Sequence, residues 1–281
     1  MSERGFDVEI ADGVAHLSFN RGEALNTFAR PFWRGFAETI AEIDDEAKAR
    51  VIVISSTGKH FSAGIDLSIL ADESMGLTGH GPGDAARHQE HLMQWVQAMQ
   101  AVLTRLEAAR MPVIAAVQGG CIGGALDLVS ACDMRYCTAD AFFTIHEINI
   151  AIMADLGTYP RLCHLLPQGL VRELGYTGRR LSAEEAKAAG LVNAVYPAQS
   201  AMLENVMGIA REIATKSPVA LMASKQIMNY ARDHSIADGL AQVALLQGAL
   251  HHGGDMVKAI EAQKTKGKAE FAPLKPKPRL W

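Results

Sequence analysis

The chain has 281 residues, 49% of them hydrophobic, and a formal net charge of -4. That length allows one large core with or without an appendage, and that charge offers no field for nucleic acid or an anionic membrane surface, so the expected partner is a small molecule. Four cysteines (Cys121, Cys132, Cys137, Cys163) form no Cys-x-x-Cys pair and sit in apolar segments, which reads as reduced core thiols and excludes a disulfide frame or zinc site.

In chain order, Phe6 to Ile10 and Val14 to Phe19 read as strands joined at Asp12-Gly13, a hairpin signal. Pro31 suits the first turn of a helix whose Phe32, Phe36, Ile40 and Ile43 recur at helical spacing, and Val51 to Ser55 is an apolar strand. A small-residue turn follows, from Gly58 and Lys59 through Ala63, Gly64 and Ile65, with Asp66 placed to cap a helix. Ala71 to Gly83 is a polar, Gly-rich surface excursion. Asp84 can cap a long helix with one apolar stripe from Leu92 to Leu106. His88 and His91 on that helix have ligand-like spacing but no third ligand, so they read as a solvated face and no metal is expected.

Val113 to Val117 is a buried strand, and Gly119, Gly120, Gly123 and Gly124 turn it into a helix carrying Asp127. Short strands are expected near Met134 to Cys137 and Ala141 to Thr144. Ser182 and Glu185 form a capping box for a helix that Gly190 ends, before a last strand from Leu191 to Tyr196. Beyond Pro197 the pattern turns wholly helical: Met202 to Ala214, Pro218 to Ala231, Ile236 to Leu250 and Asp255 to Lys266, then an extended Lys- and Pro-rich tail. The chain thus divides into an α/β core (residues 1–197) and a helical region (198–281). No apolar run approaches about 18 residues. With no signal or transit pattern at its start and no peroxisomal address in its Pro-Arg-Leu-Trp ending, a cytoplasmic location and no membrane partner are expected.

The chemistry concentrates between Val113 and Asp155. Asp127, Glu147 and Asp155 all stand in apolar sequence, where acids are rare unless paired or functional. They read either as a site with perturbed protonation or as helix caps and partners of Arg135 or Arg161. The two glycine turns read either as tight connections or as a pair of backbone N–H donors, Ala63-Gly64-Ile65 giving one and Gly123-Gly124 the other. Such a pair would stabilise an enolate oxygen while nearby carboxylates move protons at the adjoining carbons. The dinucleotide alternative lacks the Gly-x-Gly-x-x-Gly spacing.

The segments Phe61-Ser-Ala-Gly-Ile-Asp66 and Gln118-Gly-Gly-Cys-Ile-Gly-Gly-Ala-Leu-Asp127, with the following Ser-Ala-Cys-Asp133, resemble the crotonase (enoyl-CoA hydratase/isomerase) superfamily, over essentially the whole chain. The resemblance implies a crotonase-like spiral of β-β-α turns with a helical C-terminal oligomerisation region that makes trimers or dimers of trimers. It implies an acyl-CoA substrate, coenzyme A being part of that substrate and no separate cofactor being needed. Ile65 and Gly124 would hold the thioester oxygen, with Ala63, Gly64, Asp66 and Gly123 around it. Lys59, or Lys275 with Phe271, would meet the CoA phosphates. Hydratases of the superfamily carry glutamates at the positions of Asp127 and Glu147 and usually glycine at Asp155. Aspartate, glutamate and aspartate resemble instead the Δ3,5-Δ2,4-dienoyl-CoA isomerases of fatty-acid β-oxidation. In that reading Glu147 removes the C2 proton, Asp155 delivers one to C6, and Asp127 tunes the pair. A hydratase, and a crotonase-fold protein that binds an acyl-CoA or a protein without catalysis, are the alternatives.

Overall fold

The computed structural model describes residues 3–71, 85–251 and 253–278. The chain opens with β1 (Phe6–Ala11) and β2 (Val14–Phe19), then α1 (Arg30–Asp45), β3 (Val51–Ser56), the single turn α2 (Leu67–Leu70) and α3 (Ala85–Ala108). The expected Ala71 to Gly83 excursion, after its first residue, and the Asp84 cap lie outside the described residues. Next come β4 (Val113–Val117), β5 (Gly120–Ile122), α4 (Gly124–Ser130), β6 (Met134–Thr138) and β7 (Phe142–Thr144). Helices α5 (Thr158–Leu165) and α6 (Gln168–Thr177) lead to β8 (Leu181–Ser182), α7 (Ala183–Ala189) and β9 (Ala194–Tyr196). Four helices close the order: α8 (Gln199–Ala214), α9 (Pro218–Tyr230), α10 (Ile236–Leu250) and α11 (Gly254–Thr265).

The β1–β2 hairpin turns at Asp12 and Gly13, both with positive φ (52° and 77°), as its Asp-Gly sequence requires. From β2 onward every neighbour in the six-stranded sheet β1-β2-β3-β4-β6-β9 is parallel. A second sheet runs β5-β7-β8. Consecutive strands alternate between the sheets: β4 and β6 lie in the first, β5 and β7 in the second, and helices follow. An isolated bridge between Ser62 and Cys121 puts the segment after β3 beside the second sheet in the same way. This repetition is the expected spiral of β-β-α turns.

Both faces of the central strands are covered, which is why β3 and β4 are uniformly apolar or small and fully buried. Because side chains alternate along a strand, Ile52 and Ile54 face a core with Phe36, Leu103 and Leu106. Val51 and Val53, with Ile114 and Ala116, face Met202, Val206 and Ala210 of α8. The helices beyond α8 bury much less. Neither α10 nor α11 has a fully buried residue.

Three sequence expectations change. Gly120 to Ile122, read as part of a glycine turn, is strand β5, paired in parallel with β7. The last strand begins at Ala194, since Leu191 and Val192 curl back to donate to Ala186 O and bury in the core. Helices α5 and α6 were not anticipated. Among the described residues no helix is long and apolar enough to cross a membrane.

Candidate active site

The carboxyl ends of β3 and β4 feed the two small-residue turns, and backbone hydrogen bonds join one turn to the other. Phe61 N–H donates to Gln118 O (2.8 Å), Ser62 N–H to Gly120 O (3.2 Å) and Ile122 N–H to Ser62 O (3.1 Å). The Gln118 amide donates back to Ser56 Oγ (2.7 Å). Ser62 Oγ donates to Asn26 O (2.7 Å) and accepts from Gly64 N–H (3.0 Å), which fixes the curvature of the first turn.

This convergence demands glycine at position 64. Its φ is +84°, and a Cβ there would lie 2.5 Å from Ile122 O and 2.9 Å from Gly124 N. A Cβ on Gly124 would in turn lie 3.5 Å from Ile65 N. The N–H groups of Ile65 and Gly124 therefore sit side by side, and among the described residues neither donates to a protein acceptor. Backbone donors left open in this way offer hydrogen bonds to a ligand.

The acids approach from the second glycine turn and the loops beyond it. Asp127 lies in α4 and is 1% exposed. Its Oδ1 accepts the Thr158 N–H (2.7 Å) at the start of α5, so the capping alternative holds for this acid. Burial pushes Asp127 up to about 6, opposed by the Thr158 bond and reinforced by Asp155. Glu147 begins a 3-10 turn, Glu147–Ile150, and is 9% exposed. A Cβ on Gly123 would stand 3.1 Å from Glu147 Oε1, placing this carboxylate against the residue before Gly124. Its Oε2 is buried with no protein partner. Burial pushes Glu147 up to about 7, with the charges of Asp127 and Asp155 adding to the rise.

Asp155 is half-buried and its carboxyl is also raised by burial. Its loop is tied to α3 through Gln100, whose amide donates to Asp155 O (2.6 Å). Asp155 lines a cavity of about 650 Å3 together with Met153, Tyr159, Gln100, Thr104 and Arg161. Glu147 does not line that cavity, but the charge of Asp155 reaches it and adds to its raised pKa. Neither arginine considered as a partner takes up an acid of this group. Arg161 pairs with Glu107 (2.7 Å), and Arg135 donates to Leu191 O (2.7 Å) and Cys132 O (2.5 Å).

The remaining candidates separate. Ala63 and Gly64 form the first turn, and Lys59 is exposed at its start. Asp66 caps α2 by accepting from Ser68 N–H (3.1 Å) and also accepts from Thr27 Oγ1 (2.9 Å), so its carboxylate is committed to the scaffold. Lys275 and Phe271 are not brought to the turns. Lys275 O accepts from Arg110 and Phe271 O from Arg50, just ahead of β4 and β3, at the opposite end of the sheet.

Three site residues escaped the sequence reading. Thr158 holds Asp127, Tyr159 lines the cavity beside Asp155, and His60 Nδ1 accepts the Gly120 N–H (2.9 Å). The first two follow from recognising α5, whose Leu162 and Leu165 after Gly157-Thr158 carry a helical spacing. Nothing local in the sequence marks His60.

Residues 9–273 match the enoyl-CoA hydratase/isomerase family. A peroxisomal Δ(3,5)-Δ(2,4)-dienoyl-CoA isomerase of Arabidopsis thaliana is 40% identical over 93% of this chain and 93% of its own length. The human mitochondrial Δ(3,5)-Δ(2,4)-dienoyl-CoA isomerase is 41% identical over 89% of this chain and 75% of its own. Among solved structures, an enoyl-CoA hydratase from Bacillus anthracis superposes with a TM-score of 0.84 at 28% identity, covering 98% of this chain and 100% of the other. The chain belongs to the enoyl-CoA hydratase/isomerase family.

Proposed function

We propose that the protein isomerises 3,5-dienoyl-CoA to 2,4-dienoyl-CoA in fatty-acid β-oxidation. The observation that carries the reading is the third acid. Asp155 sits within electrostatic reach of Asp127 and Glu147, beside a cavity of its own, where a simple hydration needs no group. The similarity to proteins named dienoyl-CoA isomerase supports it.

The reaction removes one proton from C2, moves both double bonds by one position, and adds one proton at C6. Negative charge that leaves C2 delocalises into the thioester carbonyl, where the Ile65 and Gly124 N–H groups would receive it. Glu147 as carboxylate takes the C2 proton, and Asp155 in its acid form gives one to C6. Each acid ends in the other's starting state, and exchange with water resets them. A base near 7 suits the task given to Glu147, and burial raises the Asp155 carboxyl toward the protonated form that delivery to C6 requires. Asp127, held by Thr158, contributes its charge and not a proton.

The hydratase reading has the 28%-identical solved structure in its favour. Conversion of 3,5-octadienoyl-CoA, followed by 2,4-dienoyl absorbance, separates the two. Glu147→Gln and Asp155→Asn are each expected to lower kcat by on the order of 10²- to 10⁴-fold. Near-normal turnover in either variant removes that residue from the mechanism, and faster hydration of a 2-enoyl-CoA than isomerisation by the unmutated protein favours the hydratase. A protein that binds acyl-CoA without turnover would show neither reaction.

The same reading needs no cofactor beyond the CoA of the substrate. Self-association, as a trimer or a dimer of trimers, is supported by the apolar residues that α10 leaves uncovered: Ile236 is 84% and Leu240 65% exposed. The location is proposed to be cytoplasmic, whereas the relatives named above are peroxisomal and mitochondrial.

A further inference from the structure

We infer that His60 is a positioning residue that holds the two halves of the proposed oxyanion hole in register. The inference rests on Ile65 and Gly124 being that hole. His60 lies in the first turn, between Lys59 and the Phe61–Ser62 segment, and its ring reaches across to the second. Nδ1 accepts the Gly120 N–H at 2.9 Å. The ring is thus neutral at Nδ1, with its proton on Nε2. The fit is close on the receiving side: a Cβ on Gly119 would lie 2.8 Å from Nδ1, and one on Gly120 3.3 Å from it. The backbone of His60 is itself anchored, its carbonyl accepting from Asn26 Nδ2 (3.0 Å) and Ser56 Oγ (3.2 Å). Gly120 begins the three-residue strand that ends at Ile122, and Gly123 and Gly124 follow directly. A bond that fixes Gly120 relative to His60 therefore fixes Gly124 relative to Ile65, five residues beyond His60 on the other branch.

Protonation at Nδ1 would set a donor against the Gly120 N–H and remove this clasp, leaving the backbone bonds between the two turns to hold the register without it. The charged groups around the ring are Lys59 and Arg180, which disfavour the imidazolium, and Asp140, which favours it; burial weighs with the first two. Phe142 packs against the ring in an edge-to-face arrangement with centroids 6.1 Å apart, and Arg180 lies over Phe142 at 4.1 Å. The ring is held below its ordinary titration range, so the clasp is closed at neutral pH and opens in acid.

The test compares His60→Leu, which removes the acceptor, with His60→Asn, whose amide oxygen can occupy the place of Nδ1 and does not titrate. The readout is the thioester C=O stretch of bound 2,4-octadienoyl-CoA, with kcat and KM measured beside it. His60→Leu is expected to lose much of the carbonyl downshift and on the order of 10- to 100-fold in kcat with little change in KM. His60→Asn is expected to restore both. In a Glu147→Gln background, where that carboxylate no longer titrates, the acid-side loss of the carbonyl shift should persist with His60 and vanish in His60→Asn. An unaltered carbonyl shift in His60→Leu, or equal losses in both variants, overturns the inference while leaving the hole in place. Absence of any carbonyl shift in the unmutated protein removes the hole and the inference together. Should His60→Leu fail to fold, ¹⁵N resonances of the unmutated protein decide: an Nε2-protonated ring at pH 7.5 agrees, and an Nδ1-protonated ring contradicts.

Discussion

Glu147 shows how a sequence can mark a site for the wrong local reason. Its apolar neighbours suggested an acid sunk in a hydrophobic segment, yet Ile148, Ile150 and Ile152 are each more than 40% exposed while Glu147 is 9% exposed. The 3-10 turn inverts the expected pattern, directing the acid inward and the isoleucines outward, and that inversion is invisible without the backbone. Its protonation has a kinetic consequence. Because the base stands at about 7, kcat/KM is expected to fall as pH drops below that value. Burial raises the Asp155 carboxyl as well, so it keeps its proton to higher pH than an ordinary aspartate. A flat profile from pH 5 to 9 would contradict the proton-transfer pair. Asp127 has a thermodynamic consequence. Its folded pKa of about 6 lies above the ordinary value of 3.8, so the folded state binds the proton more tightly than the unfolded chain. Stability is then full below the unfolded value and is lost as pH rises through about 6. The Asn side chain in Asp127→Asn can still accept the Thr158 N–H without the buried charge. The variant is expected to gain up to about 3 kcal/mol at pH 8 and almost nothing at pH 4, while losing activity; denaturant titration at both values measures it.

At the scale of elements, the hairpin, α1, the central strands and the capped α7 were legible because each carries a local signal: Asp-Gly, Pro31 in a first turn, uniform burial, Ser182 with Glu185. Strand β5 was not, because three residues bounded by glycines acquire their identity only from the neighbour they pair with, β7. The consequence is that the second turn is more constrained than a flexible glycine loop. A Cβ on Gly64 meets backbone atoms on both sides, at Ile122 O and Gly124 N, so no side chain can move aside to accept it. Gly64→Ala is expected to separate the two donors and lower kcat by about 10²- to 10³-fold, as for loss of an oxyanion donor. Activity within a few-fold of the unmutated protein would show that the donors are not used.

For the whole molecule, the fold class followed from the chain's two motifs and its wholly helical end, and the docking of the C-terminal tail did not. The tail, one of the two places expected to meet the CoA phosphates, is held elsewhere: Lys277 pairs with Asp44 (2.6 Å) and Asp45 (2.9 Å) and ties that segment to the end of α1. Such long-range pairing has no sequence period to betray it. Ile236, Leu240 and Val243 share one face of α10 at helical spacing, and all are at least 40% exposed. Ile236→Glu with Leu240→Glu is expected to reduce an oligomer to monomers in sedimentation analysis, and a monomeric unmutated protein would end that reading. The chemistry itself is tested most directly by incubating the purified protein with 3,5-octadienoyl-CoA in D2O and locating the label in the product by NMR. The three-carboxylate site predicts 2,4-octadienoyl-CoA carrying deuterium at C6, formed by the unmutated protein and lost in Asp155→Asn. A failure to form the 2,4-diene, or undiminished C6 labelling in Asp155→Asn, would contradict it.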